Sequence, residues 1–278
     1  QPAGLDVVPC KPQAPAAPVL VREGADVVEI VSGTTRWRIP RSGQTAIAGA
    51  WSGERQVMGA LSLIASVDDA PDDGKRARLT GRINKVTVEQ KGPVRAVVRL
   101  DGLHEGSGRT LLPFTLRLYA YAGGDHLRIV HSFIFDGDPA KDFVSSIGLS
   151  AAVPMTGAPH DRHVRLATAE GSLFSEAVRP LTGLRRDPGT TARAAQIAGR
   201  AVALDSIAPA VRPLLDRIPT WSDFTLSQLT ADGFAIAKRT EPGRAWVDST
   251  AGTRALGLGY VGSPQGGVAI AARYFWQR

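Results

Sequence analysis

The densest polar cluster in the sequence is Pro159-His160-Asp161-Arg162-His163. Histidine exchanges protons near neutral pH, and a guanidinium neutralises a carboxylate. Removing the proton α to a uronate carboxyl group and expelling the 4-linked sugar needs a base, a neutraliser for the carboxylate and an acid for the departing oxygen. His160, Arg162 and His163 are the candidate catalytic residues on this ground. The alternative is an ordinary solvated loop.

The stretch GDHLRIVHSFIFDGD, residues 124–138, raises the question of a metal site. As a strand of period two, it places Leu127, Ile129, His131, Phe133 and Phe135 on one face. His126 falls on the other, so the two histidines cannot hold one metal ion. His131 reads as a core histidine bonded to a backbone carbonyl or a carboxylate, and Asp136-Gly137-Asp138-Pro139 reads as a turn. Neither a metal site nor a cofactor is expected. No G-x-S-x-G elbow, P-loop or Rossmann glycine pattern stands in its proper context.

Six aromatics could stack on the apolar CH side of a pyranose or bury area in a β core: Trp37, Trp51, Trp221, Trp246, Tyr260 and Trp276. Trp37 alternates with polar neighbours and is expected to face the core. Trp221 follows a loop at the start of an expected strand. Trp221 and Trp276 are the substrate-binding candidates.

The elements that must position these residues follow from pattern and composition. The 278 residues, 43% hydrophobic and 21% charged, suffice for one large all-β domain or two smaller ones. No apolar run approaches the roughly 20 residues that span a bilayer, no leader peptide is recognisable, and no membrane partner is expected. The net charge of +7 suits an anionic partner. Its basic residues are scattered rather than interleaved with aromatics, so nucleic acid is not expected. An acidic polysaccharide or oligosaccharide fits the charge. Cys10, the single cysteine, gives neither a disulfide framework nor a cysteine zinc site. A start at Gln1 and an end inside an apparently structured segment, Tyr274 to Arg278, are read as marks of a piece of a longer protein.

Residues 1–18, rich in proline and alanine, read as a lead-in to a domain over 19–278. Period-two alternation predicts strands within 25–33, 34–43, 56–67, 77–104, 110–138 and 143–155. Lys91-Gly92-Pro93 and Ala122-Gly123-Gly124-Asp125 supply two of the turns. Between 187 and 219 alanines replace β-branched residues, which predicts a short helical insertion near 190–218. Ser206 is its expected cap, with the helix running through Leu214-Leu215. Strand patterning returns within 223–240, 244–249, 253–263 and 266–277. The fold class is all-β, a large antiparallel β-sandwich.

Several phrases, in order, resemble one family. They are Val28-Glu29-Ile30-Val31-Ser32-Gly33, Phe114 to Asp138, Ile147-Gly148-Leu149 before Val153-Pro154, and Trp221 to Lys238. Ala255-Leu256-Gly257, Gly266-Gly267-Val268-Ala269 and Arg273-Tyr274-Phe275-Trp276-Gln277 complete the series. Together they resemble the PcRGLX/YetA-like proteins, which include exo-acting rhamnogalacturonan lyases. The resemblance implies a supersandwich-like central domain between a small N-terminal barrel and a C-terminal α/α toroid, with those flanking domains as partners. It carries no catalytic residue onto a position of this chain, and it implies that much of the catalytic cleft lies in the toroid.

The functional expectation is a β-sandwich domain of a secreted or periplasmic polysaccharide-degrading protein, a lyase on uronic-acid-containing, pectic polysaccharide. Two rivals stand beside it: a non-catalytic carbohydrate-contacting or scaffolding domain, and part of a glycoside hydrolase.

Overall fold

A computed structural model describes residues 13–72 and 74–277. Residues 1–12 of the expected lead-in, Cys10 among them, lie outside the described residues. The rest of the lead-in contains no strand, and it delivers Val19, 1% exposed, to a hydrogen bond with the Pro93 carbonyl. The chain divides into two compact units, residues 1–152 and 153–278.

The first unit holds two antiparallel sheets. One contains β1 (Leu20–Glu23), β2 (Val27–Ser32), β3 (Thr35–Pro40), β4 (Gly49–Ser52) and β5 (Arg55–Met58), neighbours in that order. The second contains β6 (Leu61–Asp68), β7 (Arg76–Lys91), β8 (Arg95–Gly106), β9 (Arg109–Tyr121), β10 (Leu127–Phe133) and β11 (Phe143–Ala151). Its order is β10-β9-β8-β7-β6-β11. The apolar run over 56–67 is thus two strands, broken at Gly59-Ala60.

Alternation makes these strands amphipathic and decides which face is covered. In β2 and β3 the residues Val28, Ile30, Trp37 and Ile39 are buried, while Glu29, Arg36 and Arg38 point the other way. Leu100, Leu116 and Leu118 of the second sheet are fully buried. Each such side chain contributes about 1.5–3 kcal/mol by leaving water. Bridges Gly43–Ile83 and Ile47–Leu61 tie the segment after β3 to the second sheet.

The second unit also holds two antiparallel sheets. Strands β12 (His163–Ala167), β13 (Leu173–Ala177), β17 (Leu258–Ser263) and β18 (Gly266–Ala271) form one, in the order β13-β12-β17-β18. Strands β14 (Asp223–Thr230), β15 (Gly233–Arg239) and β16 (Val247–Gly252) form the other. Phe234, Ile236 and Ala255 are buried against Leu166, Phe174, Leu226 and Phe275, so the two sheets share this core.

The helical insertion has its own core of Leu181, Ala192, Val202, Ile207, Val211 and Ile218. Its one α-helix, α1 (Thr190–Ile197), starts earlier than expected. Ser206 caps nothing: it sits in a short 3-10 turn and its hydroxyl donates to the Ala203 carbonyl at 2.6 Å. Pro209 and Pro213 leave the 206–215 segment only 3-10 turns, because proline cannot donate the α-helical hydrogen bond. Thr190 to Ile197 contains no proline and five good helix formers, and there the helix forms.

Candidate functional site

The polar cluster at 159–163 is a folded element and not an open loop. Pro159–Asp161 makes a 3-10 turn that leads into β12, where His163 pairs with Gly262 and Ala177. His160, Asp161 and His163 are buried. Both ring nitrogens of His163 meet backbone carbonyls, Nδ1 at 3.0 Å from Asp161 and Nε2 at 2.9 Å from Gln196. Burial pushes His160 below the ordinary histidine value, against the opposing pull of Asp161. The Asp161 carboxylate accepts the Val202 N–H at 2.9 Å, and the Arg162 guanidinium donates to the Gly157 carbonyl at 3.0 and 3.2 Å.

Gln196 of α1 holds this arrangement together, and sequence reasoning passed it over. Its Nε2 donates to the carbonyls of His160 at 2.7 Å and Arg179 at 3.2 Å, and its Oε1 accepts the Leu181 N–H at 2.9 Å. A glutamine in an alanine-rich helix carries no local signal of such contacts. They arise only when the helix packs against the 3-10 turn at Pro159–Asp161 and the segment at Arg179 to Leu181. The alternation in residues 163–167 and 173–177 did announce the two strands, which the sequence reading left unassigned.

Trp221 stands just before β14, where its N–H donates to the Val178 carbonyl at 2.8 Å. Its half-buried ring carries the Lys238 ammonium 4.2 Å from the ring centroid, and Lys238 pairs with Glu176. Trp246, 44% exposed, carries Arg239 at 4.4 Å, and Arg239 pairs with Asp223. Lys238 and Arg239 are consecutive in β15 and therefore point to opposite faces. Trp276 lines a shallow cleft of about 420 Å³ with Leu256, Ala271, Tyr274 and Phe275, and Arg254 stands 4.5 Å from its ring. Such an arrangement, an indole with a cation and a carboxylate beside it, can stack on a sugar ring and hydrogen-bond its hydroxyls.

His131 lies among His104, Phe114 and Phe133, on the face that alternation assigned to it. The expected bond to a carbonyl or carboxylate is absent: its Nε2 is buried without a partner. His104 has that bond instead, with Nδ1 2.8 Å from the Leu112 carbonyl. Burial, with a smaller contribution from His104, pushes His131 down to about 4. Asp136 does more than turn the chain, since its carboxylate accepts the Leu112 N–H at 2.7 Å and so braces a residue of positive φ. Among the described residues no three His, Cys, Asp or Glu side chains gather as metal ligands. No helix among them is long and apolar enough to cross a membrane.

The architecture is that of an antiparallel β-sandwich domain with indoles at its surface. A sequence profile described as the PcRGLX-like protein central beta sandwich domain matches residues 19–278, and the chain belongs to that family. It is also 32% identical over 199 residues to a protein of Bacillus subtilis (strain 168) described as "Uncharacterized protein YetA". That alignment covers 70% of this chain and 23% of the YetA protein, so the chain spans under a quarter of the relative's length.

Proposed function

We propose that this chain is the saccharide-contacting sandwich domain of a secreted or periplasmic polysaccharide lyase that acts on uronic-acid-containing, pectic polysaccharide. Membership of the central-sandwich family carries the reading. The positive net charge agrees with an acidic polymer as substrate. In this reading Trp221 and Trp276 contribute contacts to sugar rings, while proton abstraction is performed outside the 159–163 cluster. The support for that division is local: His163 has both ring nitrogens at carbonyls, and Arg162 is bonded to its own loop. Flanking domains of the same protein supply the remaining groups.

The test is to incubate the complete protein with pectic polysaccharides and follow the ultraviolet absorbance of unsaturated uronate. Its appearance supports the reading. Reducing ends released without that absorbance would replace the lyase by a hydrolase. Binding without any cleavage would leave a purely carbohydrate-contacting protein.

A further inference from the structure

Among the described residues, Trp51, Trp221, Trp246 and Trp276 each carry a cation against the indole ring. At three of them that cation has a carboxylate of its own: Lys238 with Glu176, Arg239 with Asp223, and Arg254 with Asp232. Trp51 differs. Two guanidiniums lie at its ring, Arg36 at 5.0 Å and Arg38 at 5.4 Å. With Arg22 they converge on a single carboxylate, that of Glu29.

Strand register produces this arrangement. Arg22 pairs with Glu29, Glu29 with Arg38, and Arg38 with Gly49, which makes one row across β1 to β4. In the next row Arg36 pairs with Trp51. All of these point away from the buried Trp37 and Ile39. Gly49 is needed for the indole to lie along β4, because a Cβ there would stand 2.7 Å from Trp51 Cη2.

Glu29 answers only one of the three positive charges. Its oxygens accept hydrogen bonds from Arg22 at 3.2 Å and Arg38 at 3.3 Å, while Arg36 Nε stays 3.8 Å away. That Arg36 nitrogen is buried with no hydrogen-bond partner, which costs free energy, while the side chain as a whole stays 32% exposed and open to an anion. The sheet face thus presents an unanswered pair of positive charges beside a half-buried indole.

We propose that this outer face of the first sheet binds an acidic saccharide. The carboxylate is taken by the Arg36 and Arg38 guanidiniums, and the apolar side of the sugar ring lies against Trp51. A pyranose uronate offers both features on one ring, and the planar guanidinium fork matches a carboxylate in two-point contact. The choice of a saccharide among anions rests on the polysaccharide reading above. The demand for an anion does not.

The experiment is calorimetric titration of the 278-residue chain with a galacturonate oligomer, its methyl ester, and adenosine monophosphate, at low and high salt. The galacturonate is expected to bind, more weakly as salt rises, and the uncharged ester at least about tenfold more weakly. Trp51→Ala, Arg38→Gln and Arg22→Gln are expected to weaken galacturonate binding, Arg38→Gln by about tenfold. Arg22 and Arg38 are exposed, so their variants test the site even if Trp51→Ala fails to fold. No saccharide binding, or binding unchanged in all three variants, overturns the proposal. Tighter binding of adenosine monophosphate than of galacturonate overturns the saccharide assignment. Cleavage by the complete protein together with unchanged binding in the variants would sink this site alone. Trp51-dependent binding without cleavage would sink the lyase reading alone.

Discussion

The side-chain amide of Gln196 donates to the backbone carbonyl of His160 across 2.7 Å, although 36 residues separate the two in sequence. The same side chain serves Arg179 and Leu181, so one helix residue satisfies three backbone groups that would otherwise be buried unpaired. This bond makes the 159–163 cluster a structural joint between the helical insertion and β12.

Replacing Gln196 with leucine keeps the volume and removes every one of those bonds. The expected cost is about 2–4 kcal/mol, since each orphaned buried polar group costs about 1–3 kcal/mol and some will recover water. Urea unfolding of the variant and the parent measures it. A difference under about 0.5 kcal/mol would show that the joint contributes nothing.

His131 makes stability depend on pH in a defined direction. Its folded value is pushed down to about 4 from an ordinary value of 6.5, so the unfolded chain binds the proton more readily. The contribution is fully present above pH 6.5 and is lost as pH falls from 6.5 through about 4. Exchange for phenylalanine removes the titrating group while keeping an aromatic beside Phe114 and Phe133. The unfolding midpoint of His131→Phe is expected to fall less steeply between pH 7 and 4. Some slope will remain, because burial lowers His104 and His160 as well. Equal slopes in variant and parent would refute the assignment.

Arg162 separates structure from chemistry in the complete protein. Bonded to the Gly157 carbonyl, it is expected to tolerate exchange for glutamine, so that if the complete protein is the lyase proposed above its activity stays within about twofold, the range of an ordinary surface change. A loss of a hundredfold or more in kcat, with the variant folded, would instead make it the neutraliser of the substrate carboxylate.

Trp37 and Trp51 stand on opposite faces of the same sheet and should respond differently to truncation. Trp37→Ala opens a cavity in the core and is expected to cost about 3–5 kcal/mol. Trp51→Ala removes a half-buried ring with two cation contacts and is expected to cost about 1 kcal/mol. Thermal or urea unfolding of the two variants checks the order, and equal losses would contradict it.

Much of the strand content was legible in the sequence because period-two alternation is a local property. It placed β2, β3 and β7 to β10 close to their observed bounds, ran β14 and β15 together over 223–240 and overran β17 and β18, and it put His131 and Trp37 on the faces where they are found. The resemblance to the PcRGLX/YetA-like proteins was legible too, since it rests on an ordered series of short phrases. The helix within the insertion was misplaced for a local reason: Ser206 has the right type for a cap, but the prolines after it forbid an α-helix.

What the sequence by itself determined about this protein is its all-β character, the facing of its strands and its family, because these depend on neighbours along the chain. Partnership was decided only in three dimensions. Gln196 meets His160, Lys238 meets Trp221, and three arginines from β1 and β3 meet Glu29, because strand register and packing set which distant groups share a face. Residue type announced the charge of Arg36, Arg38 and Glu29. Only the fold set three guanidiniums around one carboxylate and laid an indole beside them, since interaction between charges depends on their separation and not on their place in the chain.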